Sequence, residues 1–281
     1  MTGADPLIIN AAITGTVFTK RDSPHLPMAM GEIVDCAQRV RDAGASIVHL
    51  HARNPDGTPS YSPSVYLELV NQVRRACGDL IVCVSLSGRF TSNLEQRFAP
   101  LASAPDMASL TLGSMNFPGN ASVNAPAAIM ALAARIQAAG AVPELEVFEA
   151  GFITYANYLI RKEVLRPPFY FNLLLGSLGA APLDLVGLGH MVSLLPPGAV
   201  WALAGLGRFQ LDANVMGMAA GGHVRVGLED NLYFDRAKTD LADNVRLVER
   251  IARIGQDMGR IPASAETARR LIGLRPGPGP T

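Results

Sequence analysis

The sequence predicts a (β/α)8 TIM barrel, and three observations carry that expectation. Short apolar segments alternate with amphipathic ones eight times over 281 residues, the count and length of such a barrel. The apolar segments are apolar throughout rather than at every second position, as strands of a parallel sheet covered by helices are. No GxGxxG follows the first of them, which disfavours an open doubly wound sheet. Residues 1–281 read as one domain, because no linker composition or inserted block interrupts the alternation.

The strands are expected at "LIINAAI" (7–13), "SIVHLHA" (46–52), "LIVCVSLS" (80–87) and "MASLTLG" (107–113). Four more follow at "PELEVFE" (143–149), "FYFNLLLG" (169–176), "VWALAGLG" (200–207) and "HVRVGLE" (223–229). Helical patterns lie at 29–43, 64–76, 94–102, 126–139, 153–164, 183–195, 212–220 and 240–258. Gly44, Gly78, Gly140 and Gly259 come just after helical stretches, where a left-handed residue ends a helix well. The loop after the first strand, 14–28, is long, which marks it as functional. The tail "LRPGPGPT" cannot continue a helix past Leu274, so 275–281 is expected to be a flexible end.

Composition narrows the function classes. Hydrophobic residues make up 49% and charged ones 17%, the balance of a chain with a large core. Net charge is zero, so no basic surplus is available for nucleic acid or an anionic membrane. No apolar run reaches the roughly 18 residues of a membrane span. The start "MTGADPLIIN" lacks a basic segment leading into a long apolar run. Cys36, Cys77 and Cys83 show no CxxC spacing and sit in apolar surroundings, so reduced thiols and a cytoplasmic location are expected.

"IVHLHAR" (47–53) raises the question of function, because two histidines interrupt an apolar strand. Residues two apart on a strand face one side. His49 and His51 therefore point together near the strand's C-terminal end, where barrels keep their active sites. In a closed barrel the last strand lies one strand away from the second, so Glu229 in "GGHVRVGLEDN" can reach the same point. Two histidines and a carboxylate leave positions open for water and substrate, the pattern of a catalytic divalent metal, with zinc expected first. Arg225 shares the face of Glu229 and needs a carboxylate partner, for which Asp230 is the candidate. Ser85, Ser109 and Thr111 stand on strands three and four, and Glu144 and Glu146 share one face of strand five. Two inward carboxylates are costly unless used. His223 and His190 read as structural, and His25 lies in the long loop with nothing to fix its place. The "GLGRF" turn (205–209) is a weak candidate for phosphate.

The blocks "AAITGT", "IVHLHAR", "PELEVFEAG", "GLGRF" and "GGHVRVGLEDN" resemble the β-keto acid cleavage enzymes, the family typified by the 3-keto-5-aminohexanoate cleavage enzyme. The resemblance runs from about residue 6 to 274. It implies a homotetrameric barrel that condenses a β-keto acid with acetyl-CoA to give acetoacetate and a new CoA thioester. It implies His49, His51 and Glu229 as zinc ligands, Arg225 and Asp230 as catalytic residues, and Ser85 beside the substrate. Ser109 stands where the aminohexanoate enzyme has a threonine, and Glu146 matches a pocket glutamate; with Thr111 they form the expected substrate-binding set. One position departs. The acidic residue that holds an ammonium in the aminohexanoate enzyme is replaced in the region of Thr16 and Val17. A neutral or anionic β-keto acid is expected instead, with Lys20 or Arg21 as candidates for a second carboxylate.

Two catalytic alternatives use the same residues differently. A metal hydrolase of the amidohydrolase kind also carries HxH in a barrel, but on the first strand and with histidines from middle strands. Strands five and six here contain no histidine. A metal-dependent aldolase or lyase would turn over without acetyl-CoA. A non-catalytic metal scaffold would fill the coordination shell with protein atoms.

Overall fold

The computed structural model describes residues 5–277. Eight parallel strands close into the expected barrel: β1 Ile9–Ala12, β2 Ile47–Leu50, β3 Ile81–Val84, β4 Met107–Thr111, β5 Val142–Val147, β6 Tyr170–Leu175, β7 Val200–Gly205 and β8 His223–Val226. Neighbours in the ring are neighbours in sequence, and β8 pairs with β1 through Arg225 opposite Asn10. The outer layer holds α1 Met30–Asp42, α2 Pro63–Cys77, α3 Leu94–Phe98, α4 Pro126–Ala138, α5 Ala150–Arg161, α6 Leu185–Ser193, α7 Gln210–Ala219, α8 Asn244–Asp257 and α9 Ala265–Ile272.

The helix boundaries follow local chemistry. Ser62 precedes Pro63, which opens α2 because its missing N–H is not needed there. The expected helix over 240–258 starts at Asn244, because the Asp243 side chain accepts from Arg246 N and sets the cap. Residues 232–242 instead form a loop closed by backbone bonds such as Ala242 N to Leu232 O. The fifth helix begins at Ala150, three residues before its apolar pattern is evident, and stops before Glu163 at φ 57°. The four glycines expected after helices all have positive φ. Three features carry no expectation from the sequence. A hairpin pairs Met115–Phe117 with Asn120–Ser122, and α9 follows Ser264, whose hydroxyl accepts from Thr267 N. A further parallel pair, Asp5–Leu7 with Arg260–Pro262, sits beside the barrel. Of the tail, residues 275–277 carry no regular structure, and 278–281 lie outside the described residues.

The core has two parts. The larger joins the outward faces of the strands to the helices, through residues such as Val48, Val82, Leu110 and Leu145. The smaller includes Ile8, Ile47, Ile81, Met107, Tyr170 and Ala202, one residue from each of six strands or strand entries. Each lies two residues before a position nearer the C-terminal end of its strand, so these side chains form an apolar floor. The next level, Asn10, His49, Glu144, Asn172 and Arg225, is polar yet fully buried. The polar groups there must satisfy one another, and that requirement builds the site.

Candidate active site

Glu144 is the hub of the polar level. Its Oε1 accepts from Asn10 Nδ2 at 2.6 Å and Asn172 Nδ2 at 3.0 Å. Its Oε2 accepts from the Cys83 thiol at 3.3 Å and lies 2.8 Å from His49 Nδ1. Burial alone would raise its pKa, but His49 and Arg225 hold the carboxyl down at about 2. An ionised carboxylate only accepts, so His49 bears a proton on Nδ1 and turns Nε2 the other way, where loss of any second proton leaves a lone pair for a cation.

That Nε2 is buried without a hydrogen-bond partner, and so is Glu229 Oε2, 3.8 Å from it. Glu229 Oε1 lies 3.1 Å from His51 Nε2. The ligand atoms of His49, His51 and Glu229 fall within 4.8 Å of one another. Two buried polar atoms without partners, facing each other, fit a divalent cation, and the donor set of two imidazoles and one carboxylate suits one. A second grouping of His49, Cys83 and Glu144 has similar spacing. There the atoms already hydrogen-bond one another, so it orients His49 rather than offering a vacant donor set.

Arg225 ties the carboxylates together. Its Nε donates to Asp230 Oδ2 at 2.9 Å, and its terminal nitrogens lie 3.2 Å from Asp230 Oδ1, 3.0 Å from Glu229 and 3.6 Å from Glu146. Burial disfavours the cation, yet these carboxylates hold its pKa well up. The carboxylates themselves divide. Burial would raise Glu229, but His51 and Arg225 hold it well below the usual range. For Asp230 and Glu146 burial wins over Arg225, and both are raised. Asp230 is thus an oriented carboxylate with raised proton affinity, which suits a general base.

Strand alternation does not explain why Glu229 and Asp230 both reach Arg225, because β8 ends at Val226. A turn does. A Cβ on Gly227 would meet Ala12 O at 2.1 Å, so the chain passes too close for any other residue. Asn244 then accepts from Leu228 N and donates to Ile13 O, fixing the turn against β1. Gly15, at φ 63°, lets the first loop pass Glu229; a Cβ there would lie 2.7 Å from Glu229 Cγ.

These groups face a cavity of about 380 Å³ at the C-terminal end of the barrel. His51, Ser85, Thr111, Glu146, Arg225, Glu229 and Asp230 supply its polar wall; Val17, Phe18, Phe117, Phe148, Leu174 and Leu206 supply the apolar one. Thr111 Oγ1 donates to Glu146 Oε2 at 2.6 Å. Ser109 sits one level deeper, outside the cavity wall, and its hydroxyl accepts from Leu86 N at 3.0 Å. It supports the loop after β3. In the "GLGRF" turn, Gly207 lines the cavity but its N–H donates to Asp230 O, and Arg208 is exposed. Lys20 is drawn off to Glu32 at 2.9 Å and Arg21 lines a neighbouring recess, so neither stands in the cavity wall. His223 accepts from Ile8 N at the lower end of β8, while His25 and His190 are exposed.

Four contributors lie outside the site residues expected from sequence: Asn10 and Asn172, Arg53, and Phe117 of the hairpin. The asparagines had a signal, being polar at inward positions of apolar strands. Arg53 bonds Phe18 O at 3.0 Å and Gly57 O at 2.8 Å, pinning the first loop over the cavity.

A family model described as beta-keto acid cleavage enzyme matches residues 6–274. The 3-keto-5-aminohexanoate cleavage enzyme of Fusobacterium nucleatum subsp. nucleatum is 36% identical over 273 residues, covering 96% of this chain and 99% of that protein. The 3-oxoadipate:acetyl-CoA acetyltransferase of Cupriavidus necator is 37% identical over 272 residues, covering 96% and 95%. Among solved structures, the binary complex of ObcA with oxaloacetate superposes with a TM-score of 0.75 at 23% identity, covering 90% of this chain and 68% of that one. At that identity the likeness concerns the fold.

Proposed function

The chain belongs to the beta-keto acid cleavage enzyme family, and from that premise we propose that it exchanges acyl groups between a β-keto acid and acetyl-CoA. The bond between the keto carbon and the α-carbon breaks. The α-carbon, with its carboxylate, joins the acetyl carbonyl to give acetoacetate. The CoA sulfur passes to the former keto carbon, giving the new thioester. Atoms and electrons balance without a further reactant. The observation that carries this reading is the cavity wall shared by His51 and Glu229, whose donor set buried His49 completes, and the Arg225-held Asp230.

His49, His51 and Glu229 would hold the divalent cation, zinc in this reading, which when bound supplies Lewis acidity toward the keto and carboxylate oxygens. The protein's own groups do the rest. Asp230 takes and returns the proton as the adduct forms and collapses, in a retro-Claisen sense. Its raised pKa keeps it basic enough to do so, and Arg225 fixes its direction. Ser85 donates a hydrogen bond to the substrate from the cavity wall, while Thr111 and Glu146 bound the substrate's other side. Ser109, though a match to the family's substrate-side residue, acts here through Leu86 and the loop above it. The apolar wall excludes water from the thioester.

The proposed unit is one barrel domain per chain, assembled as a homotetramer and working in the cytoplasm. Exposed Leu178, Leu185 and Val186 support assembly, because such side chains usually meet another surface. No helix among the described residues is long and apolar enough to cross a membrane.

The test is acetoacetate formation from acetyl-CoA and cationic, neutral and anionic β-keto acids, read by mass spectrometry alongside metal content. Acetoacetate and the matching acyl-CoA in equal amounts are expected. Cleavage without acetyl-CoA would move the reading to a lyase. No product from metal-loaded, folded protein would overturn it. His49→Ala should abolish bound metal by elemental analysis; retained full occupancy would refute the ligand assignment.

A further inference from the structure

We propose that Arg89 is the receptor for a second carboxylate, so that the substrate is a β-keto diacid. The inference rests on the acyl-exchange reading and names its substrate class.

The cavity holds two guanidinium groups that differ in their carboxylate partners. Arg225 has Asp230, Glu229 and Glu146 all within 3.6 Å of its nitrogens, although its Nη1 makes no hydrogen bond. Arg89 also lines the cavity, and among the described residues its guanidinium has no carboxylate partner; its Nε is buried with no hydrogen-bond acceptor. A partly desolvated guanidinium without an acceptor is costly, and a bound anion removes that cost.

The position of Arg89 is built rather than accidental. Ser87 Oγ accepts from its backbone N–H at 3.2 Å, and Asn120 Nδ2 donates to its carbonyl at 3.0 Å. Its guanidinium carbon lies 4.1 Å from the centre of the Phe117 ring, so the hairpin supports it from one side. Beneath it, Arg97 donates to Leu86 O at 2.8 Å and to Asn124 at 2.9 Å, fixing the loop after β3.

The charge pattern selects the ligand. His51 and Glu229 of the donor set line the cavity, and in the proposed reading that set takes the substrate's keto-acid end. The remaining wall offers no spare carboxylate for an ammonium, because Glu146, Glu229 and Asp230 all serve Arg225. Thr16 and Val17 add none. A neutral tail would leave Arg89 unpaired. A distal carboxylate pairs it, and a fork-like guanidinium matches a carboxylate's two oxygens. The same guanidinium chemistry also suits a phosphate of CoA, and the experiment separates the two.

The measurement uses metal-loaded, full-length protein with 3-oxoadipate and with 3-oxohexanoate, which has the same carbon chain but lacks the distal carboxylate. Wild-type protein is expected to prefer the diacid in kcat/KM. In Arg89→Met that preference should fall about 10- to 100-fold, the range for losing charged hydrogen bonds, and Arg89→Lys should recover part of it. The KM for acetyl-CoA should stay put, and metal content and melting temperature should match wild type. A wild-type preference for 3-oxohexanoate, or an equal loss on both acids, would overturn the proposal. A rise confined to the KM for acetyl-CoA would overturn it in favour of a CoA phosphate. Calorimetric binding of 3-oxoadipate without acetyl-CoA separates the two readings. Arg89-dependent binding with no turnover would sink acyl exchange and sustain the receptor; turnover with Arg89-independent binding would do the reverse.

Discussion

Replacing Glu144 by glutamine tests the core of the site without touching any proposed metal ligand. The carboxylate receives four donors: two asparagine amides, the Cys83 thiol and His49 Nδ1. Glutamine keeps the shape but offers one oxygen. If that oxygen serves the asparagines, an amide N–H₂ faces His49 and Cys83. A charge-assisted bond worth about 1.5–3 kcal/mol and a weak thiol bond are then lost, roughly 2–4 kcal/mol together. Unfolding entropy of about 2.1 cal/mol/K per residue is ~0.6 kcal/mol/K for this chain, so the melting temperature should fall by about 3–7 °C. The more telling effect is on metal. His49 relieves the clash by moving its proton to Nε2, where Nδ1 then accepts from the amide. The proton now sits on the atom that faces His51 and Glu229. Metal affinity should fall about 10- to 100-fold. Chelator competition with wild type and Glu144→Gln, with calorimetry of both metal-free proteins, measures the two effects separately. Wild-type metal affinity in a variant that has lost the expected stability would refute the tautomer argument.

Other perturbations reach different parts of the molecule. Asp230→Asn should keep the metal and lose about 10²- to 10⁴-fold in kcat, the usual share of a general base; turnover near wild type would remove Asp230 from that role. His223 gives a pH signature away from the site, because burial and Arg260 lower its pKa to about 4 while Nδ1 accepts from Ile8 N. Unfolded protein takes up that proton near pH 6.5 and folded protein only near 4, so stability is full above 6.5 and declines as pH falls from 6.5 to 4. His223→Gln should flatten the melting-temperature profile in that window, and an unchanged profile would show that other groups set it. Val17→Glu places a carboxylate at the cavity mouth beside Phe18. It should raise relative turnover of an ammonium-bearing β-keto acid about tenfold or more, read by competition between cationic and anionic acids in one reaction.

The sequence by itself determined the barrel, the two histidines and the family. Those signals are local or periodic: unbroken apolar strands, HxH on one strand, and contiguous blocks such as "GGHVRVGLEDN". They survive without knowledge of neighbours because backbone periodicity alone sets which side chains share a face. Tertiary structure decided what those residues do to one another. Glu144 and Glu146 looked alike in sequence, two inward carboxylates on β5. Ring closure puts Glu144 beside His49 and Arg225, which keep it ionised against burial, and Glu146 beside Thr111 and Arg225, where burial raises its pKa. Ser109 and Thr111 are likewise two apart on β4, yet only Thr111 reaches the cavity. Lys20 and Arg21 were the candidate cations for a distal anion in the sequence, and Arg89 was not among them. A surface partner, Glu32, takes Lys20 away, while the hairpin from 115 to 122 holds Arg89 in the wall. Hydrogen-bond partners and desolvation depend on residues of different strands, from 28 positions apart for Glu144 and Asn172 to 178 for His51 and Glu229, and only closure of the barrel brings those together.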